Sequence, residues 1–471
     1  MRRHRRAVTV LIAALSLLYL YTLRWDLGWS ARARAGRDGG DVRNGTLGFG
    51  AIFVINLPSR RDRREAMGMA GEVSNLNLTF IEGFTGDSGL PDTKEGRARA
   101  RSGSAGARGS WRSHVAALQM IVDRGLSSAL VLEDDVDWDV RLGAQMETLA
   151  AASRAWLNIE EERRWAAASR PARKVTRVSA SRGAAERPAR PGPDPESGDG
   201  KERDEEEGEE GPGRDTIPLS PALIAEAVRG GAGSPYGEGW DVLWLGHCGA
   251  DLPAAIATTT TPSSSSSPIL SSLEIAVLDD VTVPAPKHLK PHPFALCDKL
   301  AGAYPAHTRV VHAARGNACS LAYAVSSAGA RALLRRFRGG GGVKGGREGE
   351  GEGEGFVDQW DLALRDYCMG GGDDEADDHD HGGKGGLLLG RRRRGLVCLT
   401  VQPPLFSHRY AGDAGGASVS DIRGQGGGFA RGKKGTPYVR LSVQANLGRL
   451  VAGAAVDGLV DQLPDEGDAL W

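Results

Sequence analysis

The stretch LVLEDDVDWD at residues 130–139 sets five acidic residues within seven positions, directly behind a short apolar run. The apolar residues 130–132 predict a buried β-strand that ends in carboxylates. In open α/β sheets, ligands bind beyond the carboxyl ends of the strands. The acidic residues therefore predict a binding site at the end of this strand.

The arrangement of these carboxylates predicts a metal ion. In an extended chain, Glu133, Asp135 and Asp137 point one way and Asp134 points the other. Three like charges on one face raise one another's pKa unless a cation lies among them. Mg²⁺ and Mn²⁺ prefer such oxygen ligands. The alternative interpretation is a group of surface loop acids or helix caps.

Other segments predict strands that alternate with helices. Apolar runs at 51–57, 241–245 and 321–325 predict further strands, and the apolar spacing over 111–122 predicts a helix. Ser326 or Ser327 is a candidate cap for a second helix. The alternation indicates an α/β fold class.

Low-complexity stretches interrupt these blocks. They cannot bury enough apolar area to order themselves, so we expect disordered surface inserts. They lie near 170–215, 258–267, 339–355, 370–394 and 412–435. Within the fourth, an Asp/His run at 373–381 could bind a metal, but we interpret it as a solvated charge run and do not place the chemistry there.

Overall composition excludes some classes of protein. The chain has 471 residues, with 59 Lys and Arg against 60 Asp and Glu, and 67 glycines. A net charge of −1 provides no overall field for nucleic acid, which argues against a general nucleic-acid-binding role. The hydrophobic fraction of 40% still allows a sizeable core.

The N-terminus predicts a membrane anchor. Arginines at positions 2, 3, 5 and 6 precede an uncharged run at 7–23. At ~1.5 Å per residue this run spans about 25 Å, near the lower limit for crossing a bilayer. The positive charge places the N-terminus in the cytosol and the main body in the lumen or outside. A cleaved signal peptide, with a poor cleavage site at 31–33, is the alternative.

Two further features agree with a secretory compartment. N-glycosylation sequons occur at Asn44 and Asn77. The five cysteines show no zinc-like spacing, so we expect one or two disulfides with one thiol left over. The spacing does not reveal which cysteines pair.

An ordered set of motifs runs through the blocks between the inserts. The motifs are INLPSRRDRR at 55–64, GSWRSH at 109–114, LEDD at 132–135, WLG at 244–246, CSLAYA at 319–324, FVD at 356–358, PPL at 403–405 and SDI at 420–422. In this order they resemble glycosyltransferase family 25, which includes bacterial lipopolysaccharide β-galactosyltransferases and animal collagen hydroxylysine galactosyltransferases. No single motif decides the resemblance, but the ordered set is specific.

This resemblance implies a GT-A fold, with a nucleotide-sugar-binding sheet that carries helices on both faces and a metal on the donor diphosphate. It also implies inverting transfer with UDP-galactose as the common donor. By position, Glu133 and Asp135 match the metal-binding carboxylates, and Asp134 would face the nucleotide. The overlapping D-x-D at 135–137 leaves the frame open by two residues, so Asp137 stays a candidate ligand.

The remaining candidates flank other motifs. Asn56, Arg60 and Arg63 follow the first predicted strand and would reach uridine and diphosphate; the alternative is a capped turn with solvated arginines. His114 matches a family histidine, and both a structural and a catalytic role stay open. His408 is a candidate to complete the metal shell.

An inverting transfer also needs a general base for the acceptor hydroxyl. Asp358 and Asp361 are the candidates, and Asp358 matches the late aspartate of the family. The alternative for Asp358 is the N-cap of a helix over 360–367.

Taken together, these features predict a single-pass type II glycosyltransferase of the Golgi or endoplasmic reticulum membrane. We expect a cytosolic tail (1–6), an anchor (7–23), a stem (24–50), a catalytic domain (51–437) and a C-terminal tail (438–471). The absence of a KDEL-like retrieval signal favours the Golgi.

The expected cofactor is Mn²⁺ or Mg²⁺. The expected partners are a UDP-sugar donor, a glycan or glycoprotein acceptor and the membrane, without nucleic acid. One alternative is a catalytically silent homologue that binds a sugar or a nucleotide. A second is an anchored acidic scaffold that acts through the Asp/His run.

Overall fold

The structure, a computed structural model, describes nine parts of the chain. These are residues 41–86, 105–169, 214–229, 233–253, 271–293, 295–338, 359–370, 396–411 and 434–470. The predicted anchor at 7–23, the Asp/His run and Asp358 lie outside the described residues. Within the described residues, no helix combines the length and the apolar character needed to cross a membrane.

Strands and helices alternate along the described chain. The strands are β1 (Ile52–Asn56), β2 (Leu78–Glu82), β3 (Ser128–Glu133), β4 (Val136–Trp138), β5 (Asp215–Pro218), β6 (Val242–Gly246), β7 (Leu273–Val277), β8 (Arg309–Ala313), β9 (Ala322–Ser326), β10 (Cys398–Gln402), β11 (Phe406–His408), β12 (Tyr410–Ala411) and β13 (Lys434–Gly435). The helices are α1 (Arg61–Val73), α2 (Ala105–Asp123), α3 (Leu142–Ala168), α4 (Pro221–Val228), α5 (Leu300–Ala303), α6 (Ser327–Arg338), α7 (Trp360–Cys368) and α8 (Val443–Val451).

Eleven of the described strands form one mixed sheet. Its order is β2-β1-β3-β9-β6-β10-β8-β7-β5, and β11 pairs with β4 and β6. β1 is parallel to β2 and β3, whereas β9 runs antiparallel to both β3 and β6. The predicted α/β class is confirmed; the GT-A assignment stays a prediction.

The sheet separates two apolar cores. In β1, Ile52 and Val54 face one core and Phe53 faces the other. Helices α1 and α3 contribute to the first core, and α2, α6 and α7 contribute to the second. Because successive residues of a strand point to opposite faces, a strand covered on both faces needs a continuous apolar run. This explains why residues 130–132 contain no polar side chain.

The C-terminal segment packs against the sheet. We predicted a tail from 438 onward, but this segment contains α8, which contacts α1 and β4. Asn446 of α8 is fully buried and its amide bonds to the backbone of Ser442 and Val460. The Leu441 N–H donates to Asp139 Oδ2 at 2.9 Å, and the Val140 N–H donates to the Leu441 carbonyl oxygen at 2.9 Å. These polar bonds hold the segment beside β4, and the sequence motifs do not reveal them.

Four of the five cysteines form disulfides. Cys248 pairs with Cys319 and Cys368 pairs with Cys398, while Cys297 is exposed and free. The number agrees with the expectation of one or two disulfides and a remaining thiol. The first disulfide ties the segment after β6 to the loop before β9.

His247, directly after β6, is a buried neutral histidine. Its Nε2 donates to the carbonyl oxygen of Val401 at 2.9 Å, and its Nδ1 accepts from the N–H of Gly249 at 3.1 Å. Both bonds require the neutral ring with its proton on Nε2. Burial lowers the pKa of His247 from 6.5 to about 4.

We expect acid to destabilise the fold through His247. Below pH 6.5 the unfolded chain takes up a proton that the folded His247 does not, so the free energy of unfolding falls as the pH drops toward about 4. Linkage gives ~1.4 kcal/mol per pH unit, or about 2 kcal/mol at pH 5. His247→Gln keeps one donor and one acceptor, and should lessen the difference between urea unfolding at about pH 7.5 and about pH 5 by this amount. An unchanged difference in the variant would contradict this prediction.

Candidate functional site

The candidate site lies where two parallel strands end side by side. Ile55 of β1 is in register with Glu133 of β3, so Asn56 and Asp134 follow at the same edge of the sheet. The Asn56 Nδ2 donates to Asp134 Oδ2 at 2.8 Å and to the carbonyl oxygen of Arg60 at 3.0 Å. Asn56 thereby joins the end of β1 to the acidic segment.

Arg63, in the first turn of α1, pairs with two carboxylates of this site. Its Nη1 lies 2.7 Å from Asp134 Oδ1 and 3.0 Å from Asp135 Oδ2. The three side chains are only 9–14% exposed. Burial and the Asp135 charge raise the pKa of Asp134, although Arg63 opposes this shift. These charges are shielded from water, so the Coulomb attraction within each pair is stronger than between surface charges, while burial also makes the charged forms more costly.

His408 approaches the same carboxylate from the other side. β11 pairs antiparallel with β4, and this brings the His408 Nε2 to 3.4 Å from Asp135 Oδ2. The His408 ring stacks on Tyr410 with centroids 4.8 Å apart. Burial alone would raise the pKa of Asp135, but His408 and Arg63 outweigh it and hold that pKa below its usual value. Asp135 Oδ1 is buried and has no hydrogen-bond partner among the residues that the structure describes.

Glu133, the last residue of β3, lies in an environment that disfavours the charged form of its carboxyl group. Its Oε1 accepts from the Ser320 hydroxyl at 3.1 Å. Burial, followed by the charge of Asp135, raises the pKa of Glu133 to about 8. Three acids in sequence are thus crowded at one sheet edge, which is the condition expected for a cation site.

Asp361, in the first turn of α7, lies behind this cluster. Its Oδ2 accepts from the backbone N–H of Cys319 at 2.9 Å. Cys319 has a φ of +62° and is bonded to Cys248. Asp361 and the disulfide therefore both hold the loop that carries Ser320.

His114 lies inside the second core. Its Nδ1 is 2.9 Å from the Tyr323 hydroxyl, and its ring stacks on Trp360 with centroids 5.0 Å apart. The nearest carboxylate contact is 3.8 Å, from Nε2 to Glu133 Oε1. Burial lowers the pKa of His114 to about 3. These contacts agree with a structural role beneath the acidic segment, which is one of the two roles expected for His114.

Two predicted residues have side chains with partners outside the acidic pair Asp134 and Asp135. Asp137 is fully buried and accepts from Thr436, Ser442 and the backbone N–H groups of Trp138 and Gln444. Both Asp137 oxygens accept hydrogen bonds from the C-terminal segment. A metal motif that ends at Asp135 therefore fits the structure better than one that ends at Asp137. The guanidinium of Arg60 pairs with Asp62 in the first turn of α1.

Several residues of the site could not be identified from the sequence. Ser320 lies within the CSLAYA motif, but nothing in the pattern indicates that its hydroxyl bonds to Glu133. Arg409 donates its backbone N–H to the carbonyl oxygen of Asp135 at 2.9 Å. Tyr410 stacks on His408. The pairing of β11 with β4 places Arg409 and Tyr410 at the site.

The donor chemistry of the cluster fits a divalent cation. Among the described residues, no group of three His, Cys, Asp or Glu side chains is placed so that it could hold a metal ion. Asp135 nevertheless offers a buried oxygen that no described residue hydrogen-bonds, His408 a ring nitrogen and Glu133 a second carboxylate. The metal stays a prediction.

The fold is a mixed α/β sheet, and acids and an arginine lie at the ends of two of its parallel strands. Residues 49–184 match the family model described as Glycosyltransferase family 25 (LPS biosynthesis protein). The resemblance predicted from the motifs is thereby confirmed. The matched range includes Asn56, Arg63 and the acidic segment, whereas Ser320, Asp361 and His408 lie beyond it.

Of the relatives that this chain resembles, one is named as a galactosyltransferase and another is named as inactive. The chain is 30% identical over 151 residues to "Procollagen galactosyltransferase 1" of Danio rerio, covering 28% of this chain and 24% of the relative. It is 31% identical over 134 residues to "Inactive glycosyltransferase 25 family member 3" of Homo sapiens, covering 24% and 22%. The aligned region thus spans less than a quarter of the length of these relatives.

Proposed function

We propose that this protein is a metal-dependent, inverting glycosyltransferase that moves a hexose, with galactose expected, from UDP to a hydroxyl of a lumenal glycan or glycoprotein. The observation that carries the proposal is the connected network of Asn56, Asp134, Arg63 and Asp135. It lies at the ends of β1 and β3, within the residues that match the family model. This is the edge of an α/β sheet where nucleotides bind.

On the donor side, Arg63 is the group that would bind the diphosphate. A guanidinium donates two parallel hydrogen bonds to phosphate oxygens and stays charged at all working pH values. Asn56 and Asp134 would orient the nucleotide. Asp135, His408 and Glu133 would hold Mn²⁺ or Mg²⁺, whose Lewis acidity offsets the negative charge that develops on UDP.

On the acceptor side, a carboxylate must take a proton. The acceptor oxygen attacks C1 of the hexose, the bond from C1 to the UDP oxygen breaks, and the hydroxyl proton passes to the base. Asp361 and Asp358 are the candidates. The bond from Cys319 N–H to Asp361 Oδ2 fixes the orientation of that carboxylate, which supports a positioned base.

We place this activity in the lumen of the Golgi, or of the endoplasmic reticulum, behind the anchor at 7–23. The disulfides Cys248–Cys319 and Cys368–Cys398 support an oxidising compartment. The anchor itself rests on the sequence alone.

A catalytically silent homologue that binds a sugar or a nucleotide is the second candidate. The relative from Homo sapiens is named inactive, and one from Bos taurus, 29% identical over 122 residues (23% of this chain and 20% of the relative), is named probable inactive. Family membership alone therefore does not decide between turnover and binding.

The test is UDP release by the purified full chain with a panel of UDP-sugars, with Mn²⁺ and with a chelator. The enzyme predicts release from one donor, with UDP-galactose expected, and loss of release with the chelator. UDP binding without release from any donor, including in the presence of collagen-type and glycan acceptors, would support the silent homologue instead.

A further inference from the structure

The two sequons lie side by side on the folded chain. They are Asn44-Gly45-Thr46 and Asn77-Leu78-Thr79. The backbone N–H of Asn77 donates to the carbonyl oxygen of Gly45 at 2.6 Å. A Cβ placed on Gly45 would lie 2.4 Å from Asn77 Nδ2, so the Asn77 amide rests against the Gly45 backbone. Both asparagines are exposed.

Their side chains differ in how they are engaged. The Asn44 Oδ1 accepts from the backbone N–H groups of Thr46 and Gly48, both at 2.9 Å, and thereby closes a turn. The Asn77 side chain makes no hydrogen bond to a described residue. The Asn77 side chain is thus exposed and, unlike that of Asn44, makes none of the hydrogen bonds among the described residues that hold the local turn.

An open groove begins at Asn77. It has a volume of about 550 Å³ and is lined by Asn77, Leu78 and Phe80 together with Glu72 and Gly68, among others. Apolar side chains beside polar ones suit the two faces of a sugar ring, which carries both C–H and hydroxyl groups. The groove lies along β2, which ends the sheet order and pairs only with β1 among the described strands.

We propose that Asn77 carries an N-linked glycan, which lies over this groove and covers the edge strand β2. In the reaction, Asn77 Nδ2 attacks C1 of an oligosaccharide on a polyprenyl diphosphate. The N–C1 bond forms, the bond from C1 to the diphosphate breaks, and one amide proton is released. Covering an edge strand blocks its pairing with other chains. The inference rests on the lumenal location in the proposed function, which the two disulfides support independently.

The test is translation of the full chain in the presence of microsomes, followed by a glycosidase. We expect a glycosidase-sensitive increase in mass that Thr79→Ala removes and Thr79→Ser retains. This pair alters the sequon and leaves Asn77 in place. A glycosidase-sensitive shift that persists in Thr79→Ala and disappears in Thr46→Ala would assign the glycan to Asn44 and overturn the proposal.

A second chain with an added C-terminal Asn-Gly-Thr tag separates two kinds of failure. If the tag is modified and Asn77 is not, the chain enters the lumen and the assignment of Asn77 is wrong. If neither is modified, both the lumenal location and the glycan are wrong. Transferase activity is not needed for either readout, so a silent homologue would still be glycosylated at Asn77.

Discussion

Replacing Asp135 by Asn is expected to lower metal-dependent UDP release by at least about 100-fold, or roughly 3 kcal/mol of transition-state stabilisation. Asp135 lies against Arg63 and His408 and has a buried oxygen to which no described residue donates a hydrogen bond. An amide has the same shape but lacks the charge that binds a cation. The measurement is steady-state UDP release with saturating donor and Mn²⁺.

The Asp135→Asn protein should also stay folded. The charge of Asp135 raises the pKa values of Glu133 and Asp134. Removing this charge therefore relieves repulsion, which offsets the lost contacts with Arg63 and His408. We expect the free energy of unfolding to change by less than about 1 kcal/mol. Glu147→Gln, which neutralises a solvent-accessible carboxylate on α3, is the control and should keep full activity. A folded Asp135→Asn protein with wild-type UDP release would contradict the assignment.

Replacing Asp137 by Ala is expected to lower the free energy of unfolding by about 3–5 kcal/mol. This buried carboxylate accepts from two backbone N–H groups and from the hydroxyls of Thr436 and Ser442. Alanine would leave these donors unpartnered inside the protein and would weaken the attachment of the C-terminal segment to β4. Urea or thermal unfolding at neutral pH measures the loss.

Thr436→Val is the matched control for Asp137. It removes one of the donors and keeps the carboxylate, so we expect a loss of about 1 kcal/mol. If Asp137→Ala instead unfolded like the wild type but lost UDP release, Asp137 would be the ligand and the frame ending at Asp135 would be wrong.

The strands that bear the site are predictable from the sequence. The apolar runs at 51–57, 130–132 and 321–325 correspond to β1, β3 and β9. They are readable because these strands are buried on both faces, so nearly every position is apolar and the polar residues begin where the strand ends. That boundary locates Asn56 and Glu133 without any structure.

The partners of the acidic residues are not predictable in the same way. Asp137 bonds to Thr436 and Ser442, which lie 299 and 305 residues further along the chain. Glu133 bonds to Ser320 across 187 residues. The local sequence shows where the acids are and how they are spaced. Tertiary contacts decide which acid accepts hydrogen bonds within the fold, as Asp137 does, and which keeps an oxygen that no described residue bonds, as Asp135 does.

The site also extends beyond the residues that match the family model. Asn56, Arg63 and Asp135 lie within 49–184, whereas His408 and Asp361 come from later elements. A relative can therefore match the first part of the fold and still differ in the groups that complete the cluster. For this reason, the roles of His408 and Asp361 have to be tested in this protein by substitution.

Titration of UDP into the full chain, first with Mn²⁺ and then with a chelator, tests the central claim most directly because it needs no acceptor. We predict that UDP binds in the presence of Mn²⁺ and that the chelator weakens the affinity for UDP by at least about tenfold. UDP binding that the chelator leaves unchanged, or no UDP binding with Mn²⁺ present, would contradict it.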